Sequence, residues 1–230
     1  MEKERQVLVV FPHPDDEAFG VSGTIASYIE SGTPVTYACL TLGEMGRNLG
    51  NPPFATRESL PQIRKKELQD AAAILGIKDL RMMGLRDKTV EFEDDEKLAG
   101  KISKIIEELN PSLIITFYPG YSVHPDHEAT GRAVVRAVAK IPKDQQPKLY
   151  CVAFANNSLE ALGEPNIYHD VTAVEDKKIA AIKAHRSQTE SMVAAWAEQL
   201  QNQDPQLLGW IRQERFWLYQ WPQEKQRSTD

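Results

Sequence analysis

Two cysteines in 230 residues, Cys39 and Cys151, cannot build a disulfide framework, and both lie in apolar, strand-like surroundings. They read as small buried hydrophobes of a reduced, cytoplasmic protein. No apolar run approaches the ~20 residues that span a bilayer. The charged start Met1-Glu2-Lys3-Glu4-Arg5-Gln6 lacks the regions of a secretory signal. No membrane partner is therefore expected. Positive charge is also short: 27 Lys and Arg against 33 Asp and Glu leave a formal net charge of −6. That argues against a nucleic-acid partner, because phosphate binding needs a basic face. No G-x-G-x-x-G follows the first apolar run, which removes the usual dinucleotide signature. Histidine is scarce as well, with five in the chain, so the position of each is informative.

What is present is an alternation of apolar runs with amphipathic stretches and no internal repeat. The first run, Val7-Leu8-Val9-Val10-Phe11, ends in Pro12-His13-Pro14-Asp15-Asp16-Glu17. Helical spacing covers 18–30, 59–75, 94–109, 128–140, 177–185 and much of 189–201, while strand-like runs cover 35–42, 80–83, 113–117, 148–155 and 167–171. A Gly-, Pro- and Asn-rich stretch at 43–53 reads as a long functional loop. The tail 222–230 is polar and expected to fray. Residues 1–230 read as a single α/β domain of right-handed βαβ units, with a mostly parallel sheet covered on both faces. The second half fits that pattern less well than the first.

Two polar clusters follow buried strands. His13/Asp15/Asp16 comes after 7–11, and His124-Pro125-Asp126-His127 follows soon after 113–117. In a parallel sheet all C-terminal strand ends share one edge, where open α/β sheets bind ligands. The clusters can therefore face each other and supply the two-nitrogen, one-carboxylate donor set of a catalytic metal. Each also has a plainer reading. The aspartates can cap the helix near residue 18, and His124 can be an N-cap with Pro125 at the first helical position. Their common position after buried strands favours a metal site, and capping does not exclude ligation.

The pairing of His13-Pro14-Asp15-Asp16-Glu17 with His124-Pro125-Asp126-His127 resembles the LmbE-like, or PIG-L, family of zinc-dependent N-acetylglucosamine deacetylases. Leu40-Thr41-Leu42-Gly43-Glu44, Arg64-Lys65-Lys66-Glu67-Leu68, Gly84-Leu85-Arg86-Asp87 and His185-Arg186-Ser187-Gln188 extend it over roughly residues 7–190. The resemblance is strongest to deacetylases of bacillithiol biosynthesis. It implies a three-layer αβα, Rossmann-like sandwich. It further implies Zn2+ (Fe2+ being possible) held by His13, Asp16 and His127, with Asp15 as general base. His124 would be the protonated imidazole that stabilises the oxyanion or protonates the leaving amine, with Asp126 orienting or charge-stabilising it. Glu44, Arg64, Asp87 and Tyr121 would line the pocket for a small-molecule N-acetyl sugar conjugate, with Tyr118 a rival to Tyr121. A homo-oligomer, trimeric or hexameric, is implied too. Glu17 receives no chemical role and is taken to start a helix. His169 is expected to be structural or at the pocket edge, and His185, with Ser187 and Gln188, to brace the site or a subunit contact.

The substrate so implied is N-acetylglucosaminyl malate, with chitooligosaccharide or inositol conjugates as alternatives. Two further classes are compatible with fewer features. A non-haem iron enzyme uses two histidines and a carboxylate, and a non-catalytic sugar or nucleotide binder uses a Rossmann-like sheet.

Overall fold

The computed structural model describes residues 1–222; residues 223–230 of the polar tail lie outside that range. Seven strands form one sheet: β1 (Val7–Phe11), β2 (Val35–Cys39), β3 (Asp79–Met82), β4 (Leu113–Phe117), β5 (Lys148–Val152), β6 (Ile167–Asp170) and β7 (Gln213–Leu218). Their order is β3-β2-β1-β4-β5-β7-β6. The first five are parallel, with Val7 opposite both Val35 and Leu113. β7 runs antiparallel to β5 and to β6.

Helices cover both faces: α1 (Asp16–Gly20), α2 (Ser22–Glu30), α3 (Leu60–Leu75), α4 (Asp95–Leu109), α5 (Pro125–Ala139), α6 (Ser158–Leu162), α7 (Glu175–Ala184), α8 (Arg186–Gln201) and α9 (Pro205–Arg212). β1 shows why its sequence is a solid apolar run: every residue is fully buried. Val7, Val9 and Phe11 pack with Ile25, Leu68 and Ile182 of α2, α3 and α7, whereas Leu8 and Val10 pack with Ile102 and Val134 of α4 and α5. A strand covered on both sides has no polar face to alternate. Chain order leaves β1 towards β2 on one side and β4 lies on the other, so the crevice at their C-terminal ends is a topological switch point.

The expected helix over 18–30 is broken at Val21 (φ −147°, ψ 8°) into α1 and α2. The cause lies far along the chain. The buried carboxylate of Glu214 accepts the Gly23 and Thr24 N–H groups at 2.9 and 2.7 Å, satisfying the free donors of a new helix start. Lys178 Nζ neutralises the same carboxylate at 2.9 Å. Glu214 lies in β7, which the sequence pattern did not reveal because a charged side chain occupies an inward position. α9 was also unpredicted, although Asp204 caps it through the Gln206 and Leu207 N–H groups (3.0 and 2.8 Å) and Pro205 opens it. α5 begins at Pro125, three residues before the expected 128.

α5 also lies unusually close to β4. A Cβ placed on Gly131 would stand 2.6 Å from the Phe117 carbonyl oxygen, well inside contact distance. Gly→Ala within a helix ordinarily gains about 1 kcal/mol. Here overpacking against backbone, typically ~1–3 kcal/mol, outweighs that gain. Gly131→Ala should therefore lower the urea midpoint; a raised midpoint would contradict the close approach.

Candidate active site

β1 and β4 deliver their clusters to one crevice, as the shared strand direction requires. His13 Nδ1 lies 3.2 Å from His127 Nε2. Asp16 Oδ2 stands 3.5 Å from His13 Nδ1, and its Oδ1 3.3 Å from His127 Nε2. The outer nitrogen of each ring decides what the inner one offers. His127 Nδ1 is 3.2 Å from the Ser122 carbonyl, which only accepts, so the proton sits on Nδ1 and Nε2 presents a lone pair. His13 Nε2 faces Asp87 Oδ1 and Asp126 Oδ2, both at 3.2 Å, which fixes its proton there and frees Nδ1. Two lone pairs and a carboxylate thus converge, a donor set suited to a divalent cation.

His13, Asp87 and Asp126 also cluster tightly enough to hold an ion, as do His13, His124 and His127. The two carboxylates of the first group are already engaged, however. Asp87 accepts the Met45 N–H at 2.8 Å, and Asp126 accepts the Lys88 and Glu91 N–H groups at 2.7 and 3.4 Å. They grip the imidazole and tie it to the neighbouring loops.

The charge states follow from this crowding. Burial opposes a proton on His13, but Asp126, Asp16 and Asp87 overrule it and raise its pKa to about 12, so the Nδ1 position carries a second proton that a bound cation would displace. Burial disfavours the Asp16 carboxylate, yet His127 and His13 hold its pKa far below the usual range. His124 is different. Burial, with His13 and His127 beside it, lowers its pKa, which favours the neutral ring rather than the protonated one expected from the sequence. Its Nδ1 accepts the Asp126 N–H at 3.2 Å, so the neutral ring carries its proton on Nε2. His124 therefore both caps α5 and keeps a donor. The Asp126 carboxylate bonds His13, and only its backbone N–H bonds His124.

Asp15 occupies a left-handed backbone conformation (φ 97°), unusual for any residue but glycine. Glu17 secures it. The Glu17 carboxylate, fully buried, accepts the Asp15 N–H (3.1 Å) and the Tyr37 hydroxyl (3.1 Å), and pairs with His185 Nε2 at 2.6 Å. Burial raises the Asp15 pKa to about 6, with Arg64 limiting the rise. A carboxyl poised there is well matched to proton transfer near neutrality. The sequence assigned Glu17 only a helix start, and its partner lies 168 residues away.

The expected pocket residues separate. Arg64 is buried and directed inward, donating to Gly43 O (2.9 Å), Pro14 O and Asp15 Oδ2 (3.0 Å). Glu44 accepts the Asp87 N–H at 3.0 Å while Asp87 accepts that of Met45, a reciprocal lock between the loops after β2 and β3. Tyr121 packs edge-on against Tyr118 (5.6 Å), and neither is among the side chains lining the cleft. That wall is formed instead by Met45, Gly46, Arg47, Lys88 and Gln188; the sequence marks Arg47 as part of the functional loop at 43–53 and gives Lys88 no role. Gln188 and Asn48 exchange hydrogen bonds to each other's carbonyls at 2.8 Å, fastening the 43–53 loop to α8. His169 sits in the core: its Nδ1 meets the Thr24 hydroxyl (2.9 Å), and burial lowers its pKa to about 4.

The Glu17–His185 pair makes a pH-signed prediction. Burial opposes the imidazolium, but Glu17 and Asp15 raise the His185 pKa. A raised histidine stabilises fully below its unfolded value, about 6.5, and the benefit fades as pH rises through the folded value. Glu17→Ala and His185→Ala should each cost ~3–5 kcal/mol and be strongly non-additive. In denaturant titrations the coupling should shrink towards alkaline pH. A coupling independent of pH would contradict a charged pair.

Residues 8–138, which contain both polar clusters, match the family model described as PIG-L: GlcNAc-PI de-N-acetylase. Two proteins named probable N-acetyl-alpha-D-glucosaminyl L-malate deacetylase 2 are similar along nearly their whole length. The one from Bacillus cereus is 55% identical, covering 95% of this chain and 99% of its own. That from Bacillus subtilis is 52% identical with the same coverage. Among solved structures, N,N'-diacetylchitobiose deacetylase from Pyrococcus horikoshii superposes with a TM-score of 0.72 at 25% identity, over 94% of this chain and 84% of that one. GalB, a 4-carboxy-2-hydroxymuconate hydratase from Pseudomonas putida, shares the fold (TM-score 0.71) at 22% identity, over 95% and 97% of the chains. With the family model spanning more than half of the chain and relatives above 50% identity along almost all of it, the chain belongs to the PIG-L (LmbE-like) family.

Proposed function

We propose that the chain is a zinc-dependent hydrolase that removes the N-acetyl group of N-acetylglucosaminyl malate, a step of bacillithiol biosynthesis. The observation that carries this reading is the convergence of His13 Nδ1, His127 Nε2 and Asp16 beside a tuned carboxyl, Asp15. The names of the Bacillus relatives supply the substrate. His13, Asp16 and His127 are the residues that would hold the cation, and their donor set fits Zn2+ and also Fe2+.

A cation held by these residues would supply Lewis acidity for the amide carbonyl and lower the pKa of a water molecule towards neutrality. The remaining steps fall to side chains. Asp15, fixed by Glu17 and Arg64, takes the proton of the attacking water. The His124 Nε2–H donates to the carbonyl oxygen as negative charge develops there, a role that a neutral imidazole can fill. The Asp15 carboxyl then returns its proton to the departing amine, so acetate and a glucosamine conjugate leave with protons balanced. Asp87 and Asp126 keep the His13 proton on Nε2, while Glu44 holds the loop that carries Asp87. Two free, buried cysteines, Cys39 and Cys151, with thiol pKa values pushed up by burial, suit a cytoplasmic site of action. A chitooligosaccharide or inositol conjugate as substrate finds less support, since the diacetylchitobiose and inositol deacetylase relatives are only about 30% identical.

The deciding assay is amine release from N-acetylglucosaminyl malate, N-acetylglucosamine and N-acetylglucosaminyl inositol, with and without chelator. Chelation should abolish turnover and Zn2+ should restore it; a chelator-insensitive rate would overturn the mechanism. Asp15→Asn should lower kcat by ~10²–10⁴-fold with metal content by mass spectrometry unchanged. Wild-type turnover by that variant would remove Asp15 as the base.

A further inference from the structure

The proposed substrate brings two aglycone carboxylates to a cleft that already carries several carboxylates of its own. Asp15, Asp16 and Asp87 line it, and Asp126 lies directly behind His13. A glycoside carrying two aglycone carboxylates needs cations on the wall where it enters. Apart from His13, which is taken up by the donor cluster, the cationic side chains that line this cleft are Arg47, Arg64 and Lys88. Arg64 is committed, its two terminal nitrogens being engaged by Gly43 O, Pro14 O and Asp15, and its Nε is buried away from solvent.

Arg47 and Lys88 differ from it in every respect. Both are exposed. Neither side chain makes a hydrogen bond or ion pair among the described residues. Their backbones, in contrast, are placed with care. Lys88 holds a left-handed conformation (φ 61°), kept by its N–H on Asp126 Oδ2 at 2.7 Å, so the residue that follows the Asp87 grip on His13 turns its side chain along the cleft wall. Arg47 is bracketed by fixed points. The Gly46 carbonyl accepts from Arg57, and Asn48 is locked to Gln188. Two long cations with free heads on restrained backbones are what recognition of a dianion requires: the charge is available, and little backbone order is lost on binding.

We infer that Arg47 and Lys88 form the aglycone subsite, each receiving a carboxylate of a dicarboxylic 2-hydroxy-acid group attached to the amino sugar. The guanidinium suits a bidentate carboxylate contact, and the ammonium acts as a point charge. Arg47 follows β2 and Lys88 follows β3, so selectivity for the anionic aglycone comes from the loops of those two strands, on one side of the reacting centre. The inference rests on the substrate reading above.

The test compares N-acetylglucosaminyl malate with the uncharged methyl N-acetylglucosaminide, using the zinc-loaded wild type and the variants Arg47→Gln, Lys88→Gln and the double variant. Each single change should raise KM for the malate glycoside by roughly tenfold, the worth of about 1.4 kcal/mol, with kcat within about threefold. The double variant should lower the preference for the charged over the neutral substrate by ~100-fold if the two contacts add. KM for the malate glycoside should also rise with ionic strength in the wild type, and less so in the double variant. Equal losses on both substrates, or no change in KM, would overturn the subsite. A wild type that releases amine from neither compound would overturn the deacetylase reading and the subsite with it. Thermal midpoints of the variants separate misfolding from lost recognition.

Discussion

One buried carboxylate, that of Glu17, joins the parts of this molecule that have to agree. It holds the Asp15 N–H, receives the Tyr37 hydroxyl from β2 and pairs with His185 at the junction of α7 and α8. A charge with no solvent contact is costly unless it is paired and hydrogen-bonded. The three elements that satisfy it are therefore constrained to one arrangement. That arrangement sets Asp15 in its left-handed conformation, and Asp15 accepts Arg64, which in turn grips the Gly43 and Pro14 carbonyls. The reacting centre is thus built from the core outwards.

A second set of constraints acts on the imidazoles. Asp87 and Asp126 settle the tautomer of His13, and the Ser122 carbonyl settles that of His127. Phe117, the last residue of β4, stacks on the His127 ring with 4.1 Å between centroids. The tight approach of α5 to β4 at Gly131 makes that stacking possible. Packing and protonation therefore specify the same geometry, as expected where a site must be pre-organised rather than assembled on binding.

Much of this was legible in the chain itself. Apolar runs ending in His13-Pro14-Asp15-Asp16 and, soon after residue 117, in His124-Pro125-Asp126-His127 placed both clusters on one sheet edge, because parallel strands leave no other choice. What was not legible depended on distant partners. Glu17 looks like any acidic residue in a first helical turn until His185 arrives from far along the chain. The break at Val21 needs Glu214, and Glu214 conceals the strand it belongs to. Tyr121 misled for the opposite reason: its proximity in sequence to His124 says nothing about direction, and the ring turns away to pack with Tyr118. Arg47 was noted only as part of the long loop at 43–53 and Lys88 had no signal, since exposed cations in loops are ordinary until they prove to be unpaired on a cleft wall.

The lock between Glu44, Met45 and Asp87 has a consequence for how such a protein diversifies. It joins the loop after β2 to the loop after β3, and Asp87 anchors the joined pair to His13 beyond the end of β1. The His13, Asp16 and His127 cluster thus follows two central strands, and the cleft wall of Met45, Arg47 and Lys88 comes from the loops of the two strands beside them. A change in one of these loops is therefore felt by the other, and Glu44 and Asp87 have to be kept together for His13 to hold its place.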